Sequence, residues 1–86
     1  MIRVTIYFED SLAEPVELAG LSKRINAIGL QPIPGDQFRF EDLNKEDKEK
    51  IEKFKKRPVV GLTVMSRQFK FETNFPAIYI KLRPSW

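Results

Sequence analysis

The chain contains neither cysteine nor histidine among its 86 residues. Without thiols there is no disulfide framework, no thiolate zinc site and no cysteine nucleophile. Without imidazole, the usual metal ligand and the usual general base near neutral pH are both missing. Glycine is scarce, at four residues, and none falls in the repeated spacing of a phosphate-cradling loop. No apolar run approaches the roughly 20 residues that span a bilayer. The start, Met1-Ile2-Arg3-Val4-Thr5, lacks the apolar stretch and small-residue cleavage site of a secretion signal. A cytoplasmic location, away from membranes and without a cofactor or bound metal, is the default expectation.

The residues that are present read as one small domain over 1–86. A chain of this length buries roughly 60–65% of the surface its unfolded form exposes, enough for a modest core without staples. Its hydrophobic fraction of 42% and charged fraction of 31% are those of a globular protein rather than a disordered one. The net charge of +3 is unevenly placed. Residues 1–42 carry four basic and seven acidic side chains, a balance of −3, whereas residues 43–86 carry eleven and five, a balance of +6. Such asymmetry suits an acidic partner or nucleic acid, and it also arises when one lysine-rich helix falls in one half.

Ile2, Val4, Ile6 and Phe8 alternate with Arg3, Thr5, Tyr7 and Glu9, the period-two pattern of a strand with one buried face. The stretch from Ser11 to Pro32 admits two readings. As a helix over Glu14–Ile28, Leu18, Leu21, Ile25 and Ile28 form an apolar stripe, and Gly29 suits the left-handed position past its end. As a hairpin, Val16 and Leu18 return beside the first strand, and Gly20 loses the roughly 1 kcal/mol penalty it carries inside a helix. The helix accounts for more residues and is the expectation.

Pro34 and Gly35 suit the two central places of a type II turn, with Asp36 capping the backbone beyond it. Phe38 and Phe40 then share one face of a short strand. A lone Pro-Gly-Asp is no phosphate cradle, because it lacks the glycine-rich loop and a helix after it. Asn44 suits an N-cap, and residues 44–57 read as a solvated helix with only Ile51 and Phe54 apolar, ended by Pro58. Beyond it, Val60, Leu62 and Val64 share one parity while Phe69 and Phe71 take the other. A strand that keeps both sets on one side needs a bulge near Met65-Ser66-Arg67. Residues 73–76 turn the chain, and Ile78, Ile80 and Leu82 alternate along a last strand.

The order strand, helix, strand, helix, long bent strand, strand implies an α+β two-layer sandwich with a mostly antiparallel sheet. If residues 15–20 are instead a strand, the expected fold is a small curled β-barrel with one external helix.

In the sandwich one sheet face lies open, and parity places Arg3, Tyr7, Arg39, Lys70, Tyr79, Lys81 and Arg83 on it, among Thr5, Glu9 and Glu41. Aromatic and basic side chains on an open sheet are one way of holding single-stranded nucleic acid. Tyrosine, threonine and arginine are also ordinary exposed strand residues, and the acidic pair repels phosphate. The basic run Lys53-Phe54-Lys55-Lys56-Arg57 is what a helix dipole favours. The serines Ser11, Ser22, Ser66 and Ser85 have no histidine to activate them, and the carboxylate clusters are accounted for by turns and caps. Trp86 either tucks into its own domain or anchors a partner. The expected function is a non-catalytic interaction module that binds a protein partner, or a second copy of itself, through the open face or an edge strand. The alternative is single-stranded nucleic-acid binding through the tyrosine-bearing face.

Overall fold

The computed structural model describes residues 2–9, 14–53, 59–72 and 75–85. Five strands and two α-helices run in the order β1 (Arg3–Phe8), β2 (Val16–Glu17), α1 (Ala19–Ile28), β3 (Gln37–Arg39), α2 (Lys45–Glu52), β4 (Gly61–Glu72) and β5 (Phe75–Ser85). A 3₁₀ turn, Phe40–Asp42, precedes α2. The sheet is open and ordered β2-β1-β5-β4-β3, antiparallel except where β1 runs parallel to β5. The fold is therefore the α+β domain expected from the alternation, and the barrel is not formed. No helix among the described residues is long and apolar enough to cross a membrane.

The core lies on one side of the sheet. Val4, Ile6 and Phe8 of β1 line up with Ile78, Ile80 and Leu82 of β5 by register, and Leu21, Ile25 and Ile51 of the helices close over them. Phe38 and Phe40 pack at its margin, half-buried, with Phe40 in the 3₁₀ turn rather than in β3. Ile2 and Val60, expected inside, are exposed. The backbone carbonyl of Leu82 accepts the Glu9 N–H, so even-numbered residues of β5 turn their backbone groups toward β1. Pro76 and Pro84 lie just outside the segment that β1 pairs, where a missing N–H costs no ladder bond.

The helix expected over Glu14–Ile28 begins five residues late. Val16 and Glu17 pair with Phe8 and Tyr7, and the Leu18 N–H donates to the Ile6 carbonyl before the chain enters α1 at Ala19. Both readings of this stretch thus hold in part, each over its own residues. Leu18 offers no capping side chain. Asp47 of α2, almost wholly buried, supplies the cap instead, accepting from the Leu21 N–H at 2.8 Å and the Gly20 N–H at 3.4 Å. Gly20 is what lets α2 come this close: a Cβ there would stand 1.9 Å from Asn44 Nδ2. The glycine that disfavours a helix on propensity alone is the point where two helices meet.

Local chemistry holds elsewhere. Gly29 is left-handed, and its N–H and that of Leu30 donate to the carbonyls of Asn26 and Ile25, a Schellman ending. Ile28, expected in the core, is 66% exposed, whereas Ile25, three residues earlier, is buried. At Pro34-Gly35, Gly35 has φ 96°. The Asp36 carboxylate accepts the Ile33 N–H at 2.9 Å, and the Asp36 N–H donates to the Ile33 carbonyl at 3.0 Å. The turn steers the chain onto β4, where the N–H groups of Gly35 and Val64 donate to the Val64 and Asp36 carbonyls respectively. Asn44 caps α2 through the Asp47 N–H at 2.8 Å. The second helix ends at Glu52 rather than Arg57, and Phe54 and the rest of residues 54–58 lie outside the described residues, as do Thr73, Asn74 and Trp86.

The bulge needed in β4 lies between Val64 and Ser66. Beyond it Arg67, Phe69 and Phe71 stand opposite Ile80, Ile78 and Pro76, on the helix side of the sheet. They share the side of Leu62 and Val64, yet Phe69 is 53% and Phe71 82% exposed. Length explains this. Ten residues of α1 reach about 15 Å, whereas the twelve of β4 extend about 40 Å. The helical layer ends before the hairpin does.

Candidate interaction surfaces

All seven residues expected on the open face lie there by register. Across β1, β5 and β4, Arg3, Ala77 and Lys70 form one row; Thr5, Tyr79 and Gln68 the next; Tyr7, Lys81 and Ser66 a third. Arg83 lies further along, opposite Thr63, and Arg39 stands at the far corner on β3, opposite Gly61. Parallel pairing of β1 with β5 is what brings Tyr7 beside Tyr79, with ring centroids 5.6 Å apart and planes tilted by 58°. Lys70 places its ammonium 4.5 Å from the centre of the Tyr79 ring. Together with Lys81, these side chains line a shallow depression of about 320 Å³.

Two of the five basic side chains of this face are paired with carboxylates. Lys81 pairs with Glu9 at 3.5 Å, and Arg39 pairs with Glu41. Thr5, in the row of Tyr79, is buried. Tyr7, Lys70, Tyr79 and Lys81 therefore form a cluster, Arg3 and Arg83 flank it, and Arg39 is remote. Among the described residues no group of three acidic side chains gathers to hold a metal ion.

Compared with protein-family models, characterised proteins and solved structures, the chain matches none.

The two long margins of the sheet differ. Outside β1, helix α1 answers the strand's backbone with side chains. Asn26 accepts the Val4 N–H and donates to the Val4 carbonyl, both at 2.8 Å, as a neighbouring strand would. Ser22 accepts the Ile6 N–H at 2.9 Å and donates to the Leu18 carbonyl. Those groups leave little for an incoming strand to bond. Ser22, a hydroxyl with no imidazole to activate it, is a structural bridge.

Outside β4 the arrangement is the reverse. β3 covers Gly61–Thr63, and the Pro34-Gly35 turn covers Val64. Because even-numbered β5 residues face β1, the odd ones face β4, opposite Ser66, Gln68 and Lys70. Arg67, Phe69 and Phe71 consequently turn their N–H and C=O groups outward, where the described residues offer them no partner. Arg67 is held over the Phe69 ring at 4.9 Å and donates to Gln31 Oε1 at 2.9 Å, while its buried Nε has no acceptor among the described residues. An unpaired strand edge and an uncovered aromatic pair coincide. In the sequence, their signal is the parity change at Met65 joined to helices too short for the hairpin.

Proposed function

We propose that this protein is a non-catalytic interaction module that binds another polypeptide by strand addition along the outer margin of β4. The observation that carries the reading is the outward-facing backbone of Arg67, Phe69 and Phe71 beside the exposed Phe69 and Phe71 rings. Main-chain bonds to such an edge supply affinity, and alternate side chains supply selectivity. Proteins that remain alone usually blunt an edge of this kind by shortening or covering it. Among the described residues the β1 margin is blunted, and the β4 margin beyond Val64 is not. The test is a titration of labelled protein with short synthetic peptides that alternate aromatic or β-branched with polar residues. The amide resonances of residues 66–72 should shift, and those of Arg67, Phe69 and Phe71 should exchange more slowly. Peptide binding that leaves these amides unmoved would refute the reading.

A second reading, single-stranded nucleic-acid binding, draws on the juxtaposition of Tyr7 and Tyr79 with Lys70. It ranks below the first because Lys70 already occupies the Tyr79 ring and Glu9 compensates Lys81. In a low-salt titration with mixed oligonucleotides, this reading requires binding that weakens steeply with salt and falls by about 1–3 kcal/mol in Tyr79→Ala.

A further inference from the structure

The dimensions and charges of the β4 margin identify the strand that adds to it. We infer that the occupant is a second copy of this chain, its β4 paired antiparallel with β4 of the first about a two-fold axis through Phe69. The inference rests on the strand-addition reading and names its partner.

Extent places the axis. Pairing to β3 and to the turn ends at Val64, the bulge takes up Met65, and β4 ends at Glu72. The uncovered margin therefore runs from Ser66 to Glu72, with Phe69 at its middle. Two identical margins related by a two-fold axis overlap completely only when the axis passes through that middle residue. Any other centre leaves part of each margin unpaired.

Bonding and charge select the same register. With the axis at Phe69, Arg67 lies opposite the partner's Phe71, Phe69 opposite the partner's Phe69, and Phe71 opposite the partner's Arg67. These residues turn their backbone groups outward, so each pair exchanges two hydrogen bonds. On the open face Lys70 meets the partner's Gln68. An axis through residue 70 would instead set Lys70 against its own copy, and one through residue 67 would do the same with Arg67. Like charges directly opposite are destabilising. The Phe69-centred register avoids both, and it brings an arginine and an aromatic ring together on the apolar side, a favourable pairing.

The shape of the molecule leaves room for the join. β4 and β5 extend beyond the helical layer, and no helix among the described residues covers the open face. Two hairpins can therefore meet edge to edge, forming a continuous sheet from the five strands of each copy. The Phe69 and Phe71 rings left bare by the short helical layer then close over one another at the join.

The absence of cysteine makes the register directly measurable. Opposed residues of a hydrogen-bonded antiparallel pair have Cα atoms about 5.5 Å apart, within the roughly 4.4–6.8 Å range of a disulfide. Phe69→Cys should oxidise to a covalent dimer, while Glu49→Cys, on the exposed side of α2, should stay monomeric when treated with the same oxidant. Sedimentation equilibrium of the unmodified chain between about 1 μM and about 1 mM should show a monomer–dimer equilibrium. Phe69→Pro removes an outward N–H together with the ring at the join, but no bond to β5, and should weaken association by about thirtyfold or more, as loss of a central contact does. Its circular dichroism melt establishes that it folds, and Phe69→Lys, which sets like charges across the axis, provides a second disruption. A chain that stays monomeric throughout, or a dimer untouched by either substitution and not cross-linked at position 69, overturns the inference. If peptides still perturb residues 66–72 in a strictly monomeric chain, strand addition survives and only the second copy is lost. If neither occurs, both readings fail.

Discussion

Replacing Asp47 with alanine should destabilise the fold by about 2 kcal/mol, although the residue sits in a helix full of charged, solvated neighbours. The residue is 1% exposed, and its carboxylate accepts the Leu21 N–H at 2.8 Å. Removing a charged acceptor from a buried donor costs about 1.5–3 kcal/mol. The Gly20 bond, at 3.4 Å, is long and adds little. Alanine regains about 0.5 kcal/mol of helix propensity over aspartate, and the Asn44 cap survives because it uses the Asp47 backbone N–H. In a domain of this size each kilocalorie lowers Tm by about 4–8 °C, so a fall of about 8–16 °C is expected. Asp47→Asn keeps one acceptor oxygen without its charge and should lose roughly half as much. Glu49→Ala, two residues along the same helix and exposed, should stay within about 0.5 kcal/mol. Urea titration monitored by circular dichroism measures all three. If Asp47→Ala proved no more harmful than Glu49→Ala, the carboxylate would not be what caps α1.

Gly20→Ala should destabilise by about 1–2 kcal/mol despite alanine's better helix propensity, because the new methyl group displaces Asn44 from its capping position; a stabilised variant in thermal melts would contradict the close approach of the helices. Leu21→Ala should cost about 2–4 kcal/mol as a buried leucine between α1 and the sheet, and a loss below about 1 kcal/mol in urea titration would mean that α1 packs elsewhere. Asn26→Ala should free both backbone groups of Val4, costing about 1–3 kcal/mol. It should also speed hydrogen exchange at the Val4 amide more than at Ile6, which Ser22 still holds; equal protection before and after the change would refute the side-chain ladder.

Features set by a few neighbouring residues were legible in the sequence. The left-handed glycines at 29 and 35, the Asn44 cap and the alternation in β1 and β5 arise from dihedral preferences and hydrogen bonds spanning a few positions. Even the bulge was readable, because parity fails at a definite place along β4. The composition of the tyrosine-bearing face was legible for the same reason, since strands expose alternate residues wherever they pair.

Tertiary structure decided where those pieces meet. Nothing local to residues 14–19 distinguishes strand from helix; the choice falls at Leu18 because the Ile6 carbonyl takes its N–H and Asp47, 26 positions beyond Leu21, caps the helix that begins there. Tyr7 neighbours Tyr79 only because β1 runs parallel to β5. The open margin of β4 is likewise a matter of relative lengths: a three-residue β3 and a short helix leave Phe69 and Phe71 uncovered, although their parity is that of core residues. Alternation determines which side a residue takes, whereas burial depends on whether another element is long enough to reach it.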